Sequence, residues 1–146
     1  MSVDDKEILL QWANDPVTRQ NSFYSNAITP AEHEQWFSDK LNDHREIMLM
    51  AVEEGRDVGH VRFSMQGDEP EVNINIAPCE RGKGYGTKVL KMAVQWLLEQ
   101  KGSPKVIAHI KPDNQSSIKT FQKAGFRICS LVSFKGQDCF KMQFHS

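Results

Sequence analysis

The stretch from Glu71 to Thr87 constrains the fold of this chain more than any other. Residues 71–76 alternate strictly, with Val72, Ile74 and Ile76 on one side and Glu71, Asn73 and Asn75 on the other. That is the period of a half-buried strand, and Pro78 stops it. Three glycines follow in Arg81-Gly82-Lys83-Gly84-Tyr85-Gly86. Val89, Leu90, Ala93, Trp96 and Leu97 then keep helical spacing as far as Lys101-Gly102. Glycine lets the backbone turn tightly and approach a ligand without a Cβ in the way. The first N–H groups of the helix have no partner within it, and its dipole favours negative charge at that end. The unit is therefore an anion cradle with phosphate as its natural guest, and Arg81, Lys83 and Lys88 add positive charge. The glycines are spaced by two, so neither the dinucleotide fingerprint nor the P-loop pattern is present.

Around this unit the pattern predicts an α+β fold. A short helix spans about Asp4 to Ala13 and breaks at Asn14-Asp15-Pro16. A second helix has Thr29 as N-cap and Pro30 at its first position, and carries His33, Trp36, Phe37 and Leu41 on one side. Strands follow at Glu46–Glu53 and Val58–Met65, joined by a turn at Glu54-Gly55-Arg56-Asp57. The strand Glu71–Ile76 and the long helix come next, then a short apolar strand at Val106–Ile110. Asp113-Asn114 caps a helix that runs to Lys123 and ends at Gly125. Two last strands, Phe126–Phe134 and Asp138–Phe144, are joined at Lys135-Gly136-Gln137.

The chain has 146 residues, 39% of them apolar and 25% charged. One domain over residues 1–146 is the expectation, and disordered or fibrous classes are excluded. No apolar run spans a membrane, and Asp4, Asp5, Lys6 and Glu7 are unlike a signal peptide. Cys79, Cys129 and Cys139 show no CxxC spacing. They argue for a reducing cytoplasm and against a disulfide framework or a metal site; Cys129 and Cys139 are expected to pack inside. The net charge of −1 gives no reason to expect nucleic acid. It hides a strong asymmetry, however. Residues 1–76 hold 6 Lys and Arg against 15 Asp and Glu, while residues 77–146 hold 12 against 4. The second half is suited to an anionic partner.

Residues 72–87, Val72-Asn73-Ile74-Asn75-Ile76-Ala77-Pro78-Cys79-Glu80-Arg81-Gly82-Lys83-Gly84-Tyr85-Gly86-Thr87, resemble the acetyl-CoA loop of the GNAT N-acetyltransferases. Asn114-Gln115-Ser116-Ser117-Ile118-Lys119-Thr120-Phe121-Gln122-Lys123-Ala124-Gly125-Phe126 resembles a second block of that family. The resemblance implies the GNAT fold: a central mixed, mostly antiparallel twisted sheet with helices on both faces. The family usually opens with a strand, which here is short or missing, so the sheet lacks it or borrows an edge from a partner. Acetyl-CoA is the implied cofactor. Its pyrophosphate would be held by Arg81, Gly82, Lys83, Gly84, Tyr85, Gly86 and Thr87. Its pantetheine arm would pair with the splayed strand at Ile76. Asn114 and Ser117 would touch the arm or the phosphates, and Lys123 the nucleotide end. Phe121, also in this set, stands where many members have a tyrosine that protonates the leaving thiolate. Ser117, Tyr85 or a water is left for that role.

The implied chemistry is direct attack of an amine on the thioester. Glu71, on the polar side of its strand, is the first candidate base and His60 the second. The N–H of Ile76 or Ala77 is the implied donor to the developing oxyanion. The string from Trp12 to Arg19, with Ser22-Phe23-Tyr24-Ser25 and His33-Glu34-Gln35-Trp36-Phe37, is similar to members that acetylate the 4-amino group of a nucleotide-linked amino-deoxysugar. Part of it is shared with ribosomal-protein N-terminal acetyltransferases. Arg19, Ser22, His33 and Trp36 are the substrate candidates, and Arg19, Arg45 and Arg62 would meet a diphosphate. The acidic first half points instead to a cationic amine or a protein N-terminus. A non-catalytic acetyl-CoA-binding module is the third reading. The expected partner is thus a small-molecule amine, with no nucleic acid or membrane, and a homodimer stays open.

Overall fold

A computed structural model describes residues 5–16, 28–43, 45–65, 69–101 and 105–145. Helix α1 (Lys6–Ala13) and helix α2 (Pro30–Asn42) come first. Thr29 caps α2 as expected, its side-chain oxygen accepting from the Glu32 N–H at 3.1 Å. The strands are β1 (Glu46–Glu53), β2 (Arg56–Ser64), β3 (Glu71–Ile76), β4 (Lys105–Ile110), β5 (Arg127–Phe134) and β6 (Gln137–His145). A single 3₁₀ turn, Pro78–Glu80, separates β3 from helix α3 (Tyr85–Lys101), and helix α4 (Gln115–Lys123) follows β4. The expected stub of a first strand falls on residues 1–4, outside the described residues. Among those described, the chain opens with a helix.

The six strands form one sheet in the order β1-β2-β3-β4-β6-β5. Every pairing is antiparallel except β3 with β4, which is parallel. The β1–β2 turn is tighter than the sequence pattern predicts. Glu54 and Gly55 take φ of 50° and 78°, and Glu53 pairs directly with Arg56. Two consecutive positive φ values make a two-residue hairpin turn, so β2 starts at Arg56 rather than Val58.

Two apolar layers bury the two faces. On one, Leu90, Val94 and Leu97 of α3 and Ile118 and Phe121 of α4 pack with Phe63, Val72, Val106 and Met142 of the sheet. On the other, Leu9 and Trp12 of α1 and Phe37 of α2 cover Met48 and Ala77. Each large side chain taken fully out of water contributes about 1.5–3 kcal/mol. Burial of Val72, with Ile74 and Ile76 packed beside it, turns Glu71, Asn73 and Asn75 to the α1–α2 side. Strand β5 is different: Ile128 and Leu131 are exposed, and so is Cys129, against the expectation that it packs inside. Of the two strand cysteines, only Cys139 packs in the core, where burial raises its thiol pKa.

Candidate active site

The site begins where the sheet splits. β3 pairs with β2 along its whole length, from Glu71 opposite Ser64 to Ile76 opposite Gly59. With β4 it shares a single register position, Glu71 opposite Ile107, where the Ile107 N–H donates to the Pro70 carbonyl at 2.8 Å. Beyond that point the two parallel strands diverge and leave a wedge between residues 72–76 and 108–110. The Ala77 N–H donates to the Val58 carbonyl at 2.9 Å. That removes Ala77 as an oxyanion donor. Alternation along an antiparallel strand turns the N–H groups of Ile76 and Ile74 the other way, into the wedge.

The glycine loop closes the wide end of the wedge. Gly82 and Gly84 have φ of 77° and 82°, and a Cβ built on either would meet nothing within 4 Å. Open space lies against them. Gly86 is the close approach: a Cβ there would lie 3.1 Å from Thr120 Cγ2 and 3.8 Å from Ile76 Cγ1. The first turn of α3 therefore sits directly between the end of β3 and α4. The Lys88 N–H reaches back to the Gly84 carbonyl at 3.4 Å, which leaves Tyr85, Gly86 and Thr87 as the helix's first amides. No acidic side chain stands in that turn. Main-chain donors, positive dipole and open space all suit a diphosphate.

The loop's cations are themselves braced. Arg81 donates to Asp15 beyond α1 at 2.7 Å. Lys83 donates to Glu80 at 3.1 Å, and Arg56 Nε donates to the same carboxylate at 3.2 Å. Arg56 also donates to the Tyr85 hydroxyl at 3.3 Å. That contact ties the Tyr85 hydroxyl to the β1–β2 hairpin. Glu80 is 6% exposed. The hydrogen bond from Lys83, then that from Arg56, outweighs burial and holds its pKa below the usual carboxylate range. Glu80 thus joins the β1–β2 hairpin to the loop. Glu80→Gln should weaken coenzyme A binding by up to about tenfold, the scale of one lost charge-assisted hydrogen bond. Calorimetry checks this, and unchanged affinity would show that the brace does not shape the cradle.

The structure sorts the remaining candidates. The Asn114 side chain accepts from the Ser117 N–H at 3.3 Å and so caps α4. Lys123 is exposed in the last turn of that helix. Phe121 is 4% exposed and stacks edge-on against Phe126, at 5.0 Å between ring centres; it is a core residue. His33, a substrate candidate from the sequence, lies in the interior. It is 3% exposed, and its ring stacks on Trp36 and Phe37 inside the α2 layer. Trp36 is half-buried under the Arg62 guanidinium, 5.7 Å from its ring centre. Arg62 pairs with the buried Glu46 at 3.6 Å and Arg45 with Asp43 at 3.2 Å, so both are committed to carboxylates. Arg19 and Ser22 lie outside the described residues.

Of the two expected bases, His60 is the poorer. It lies on the α1–α2 face, with Nε2 shut off from solvent and without a hydrogen-bond partner. Burial, then the charge of Arg62, pushes its pKa down to about 4. A base that weak takes little of an ammonium's proton. Glu71 sits at the apex of the wedge, and its Oε1 lies 3.0 Å from His109 Nδ1. The sequence gives no sign of His109, because Val106–Ile110 reads as a short apolar strand. An open pocket of about 770 Å³ lies apart from the wedge. Asp5, Glu7, Gln11, Asn14 and Asp57 are among its lining residues. Among the described residues no group of three His, Cys, Asp or Glu could hold a metal ion, and no helix is long and apolar enough to cross a membrane.

A split mixed sheet with a glycine cradle at a helix start defines a GNAT-type domain. The fold matches that of the aminoglycoside acetyltransferase AAC(6')-Ib in complex with ribostamycin and coenzyme A, at TM-score 0.88 and 22% identity over 99% of this chain and 90% of that one. It also matches the Vibrio cholerae spermidine N-acetyltransferase in complex with coenzyme A and spermine, at TM-score 0.87 and 18% identity over 99% and 92%. The acetyltransferase (GNAT) domain family matches residues 1–127, and the chain belongs to that family. Among curated relatives, the mycothiol acetyltransferase of Mycobacterium avium is 25% identical over 87 residues, 53% of this chain and 28% of its own length. That of Corynebacterium efficiens is 25% identical over 112 residues, 75% and 35%. The matched stretch thus spans about a third of the length of these relatives.

Proposed function

We propose that the chain transfers an acetyl group from acetyl-CoA to a primary amine of a small, cationic acceptor. The wedge between β3 and β4, ending at the glycine loop, is the observation that carries this reading. A strand edge with inward N–H groups at Ile74 and Ile76 can take an amide-bearing arm as an added strand, while the diphosphate is seated at Gly82 to Thr87. From Ile76 back to Glu71 is five residues, roughly 16 Å of strand. The thioester end of such an arm would lie towards the apex, beside Glu71. Acetyl-CoA supplies the activated acyl group; the chain supplies the seat, the donors and a polar group at the reacting end.

Charge favours a cationic acceptor. Glu71 stands at the apex on the α1–α2 side, and residues 1–76 hold 15 Asp and Glu against 6 Lys and Arg. Arg45 and Arg62, two of the three arginines expected to grip a nucleotide diphosphate, are held by carboxylates. The two solved structures of like fold hold ribostamycin in one case and spermine in the other. Thiol release from acetyl-CoA should therefore be seen with spermidine or kanamycin. Turnover of a nucleotide-linked amino sugar or an N-terminal peptide alone would replace the acceptor assignment. Tight binding of acetyl-CoA with no turnover across the panel would make the chain a binding module.

A further inference from the structure

We propose, resting on the transferase reading above, that His109 Nε2 is the base that takes the acceptor's proton and that Glu71 is the positioning residue that orients its ring. His109 stands on β4, two residues past Ile107, the register position shared with β3, and so lies beside the apex of the wedge. It is held on two sides. Nδ1 lies 3.0 Å from Glu71 Oε1, and the ring stacks flat on Phe134, with centres 4.0 Å apart and planes 2° from parallel. A carboxylate at Nδ1 selects the tautomer with the proton there and leaves the lone pair on Nε2. A base oriented by a third group is the recurring arrangement for activating a nucleophile. Imidazoles exchange protons near neutral pH, whereas carboxylates do so about two units lower, a poorer match to an amine.

Among the described residues, titratable groups stand near the ring on several elements. Glu71 approaches from β3. Lys141 on β6 is opposite His109 in register, and its ammonium is taken by Glu69 at 3.0 Å. Cys139 shares that face of β6, and burial, then Glu71 and Asp138, keeps its thiol protonated. Lys135 stands 5.4 Å from the centre of the Phe134 ring. Lys111 follows directly after β4. In the step itself the acceptor's ammonium first gives one proton to solvent; the neutral amine then forms the C–N bond to the acetyl carbonyl carbon, its N–H proton passes to Nε2, and the C–S bond breaks with the electron pair leaving on sulfur. The imidazolium then returns its proton to the thiolate or to solvent.

Two variants and one spectroscopic measurement test this, with acetyl-CoA affinity by calorimetry as the control for each variant. His109→Asn keeps an N–H for Glu71 but removes the base. It should lower kcat with spermidine about 10²–10³-fold and abolish the acidic limb of the pH–rate profile, with acetyl-CoA affinity unchanged. Glu71→Gln should keep the limb and lower kcat less than His109→Asn does, because the base remains and only the group that orients its ring is altered. Nitrogen NMR of the wild type should show the Nδ1–H tautomer at pH 8, and the opposite tautomer would overturn the assignment without any turnover. A near-normal rate and limb in His109→Asn, or loss of the limb in Glu71→Gln alone, would also overturn it. His109→Gln stands in if the asparagine variant does not fold. A wild type that binds acetyl-CoA and acetylates no amine sinks the transferase reading and the base with it. A wild type and a His109→Asn variant that transfer equally well sink only the base.

Discussion

Gly84→Val is expected to reduce acetyl-CoA affinity by more than about 100-fold while the chain stays folded. Two effects act together. Gly84 has φ of 82°, in the left-handed region that a β-branched side chain adopts only under strain. Valine therefore pulls the loop away from the conformation that aims its amides outward. A Cβ there meets nothing within 4 Å, so any side chain that stays occupies the space where the diphosphate would sit. The strain alone is about 1–3 kcal/mol, and Gly84 is exposed, so the melting temperature should fall by roughly 2–12 °C and leave the chain folded at 25 °C. Gly84→Asn separates the two effects, since asparagine tolerates the left-handed region. If Asn binds as weakly as Val, occupied space is the cause; if Asn restores binding, backbone strain is. Wild-type affinity in the valine variant, measured by calorimetry, would show that this loop does not seat the diphosphate.

What is legible in the sequence is local. The alternation of Val72, Ile74 and Ile76 sets which side of β3 is buried, and three closely spaced glycines force the turn into α3. Thr29-Pro30 and Asn114 are caps whose partners lie three residues away. What stays hidden depends on distant chain. Glu71 and His109 are 38 residues apart, and their meeting depends on the register of the one parallel strand pair, which no local pattern encodes. Arg81 and Asp15 are 66 residues apart, so the cation expected at phosphate is also the one that fastens the loop to the end of α1. For His33 and Phe121 one reason hides their packing from the sequence. Each lies in a block that resembles functional sequence, yet each ring is covered by a neighbouring aromatic, and burial is a tertiary property. The β1–β2 turn misleads for a smaller one. Glu54 adopts positive φ without being glycine, so the pair Glu54-Gly55 makes the whole turn and Arg56-Asp57 belong to the strand.

Stability should fall steeply between pH 6.5 and pH 4, and His60 should account for most of the fall. Its folded pKa is about 4 against an ordinary value of 6.5, because burial and then Arg62 oppose the charged form. The unfolded chain therefore binds more protons than the folded one in that window, and the stability contributed by the neutral ring is full above pH 6.5 and lost as pH drops towards 4. A shift of this size corresponds to at most about 3 kcal/mol. His33 acts in the same direction, its pKa lowered by burial and then by Lys6. Glu69 and Glu80, held ionised chiefly by their lysine hydrogen bonds, contribute in a lower window, losing their effect as pH falls below about 4.5. Urea unfolding at a series of pH values separates these groups. His60→Gln should flatten the curve between pH 6.5 and 4.5 and leave the steeper loss below it. An unchanged slope in that variant would mean that His60 ionises freely in the folded chain, and its exclusion as the catalytic base would then lose its electrostatic ground.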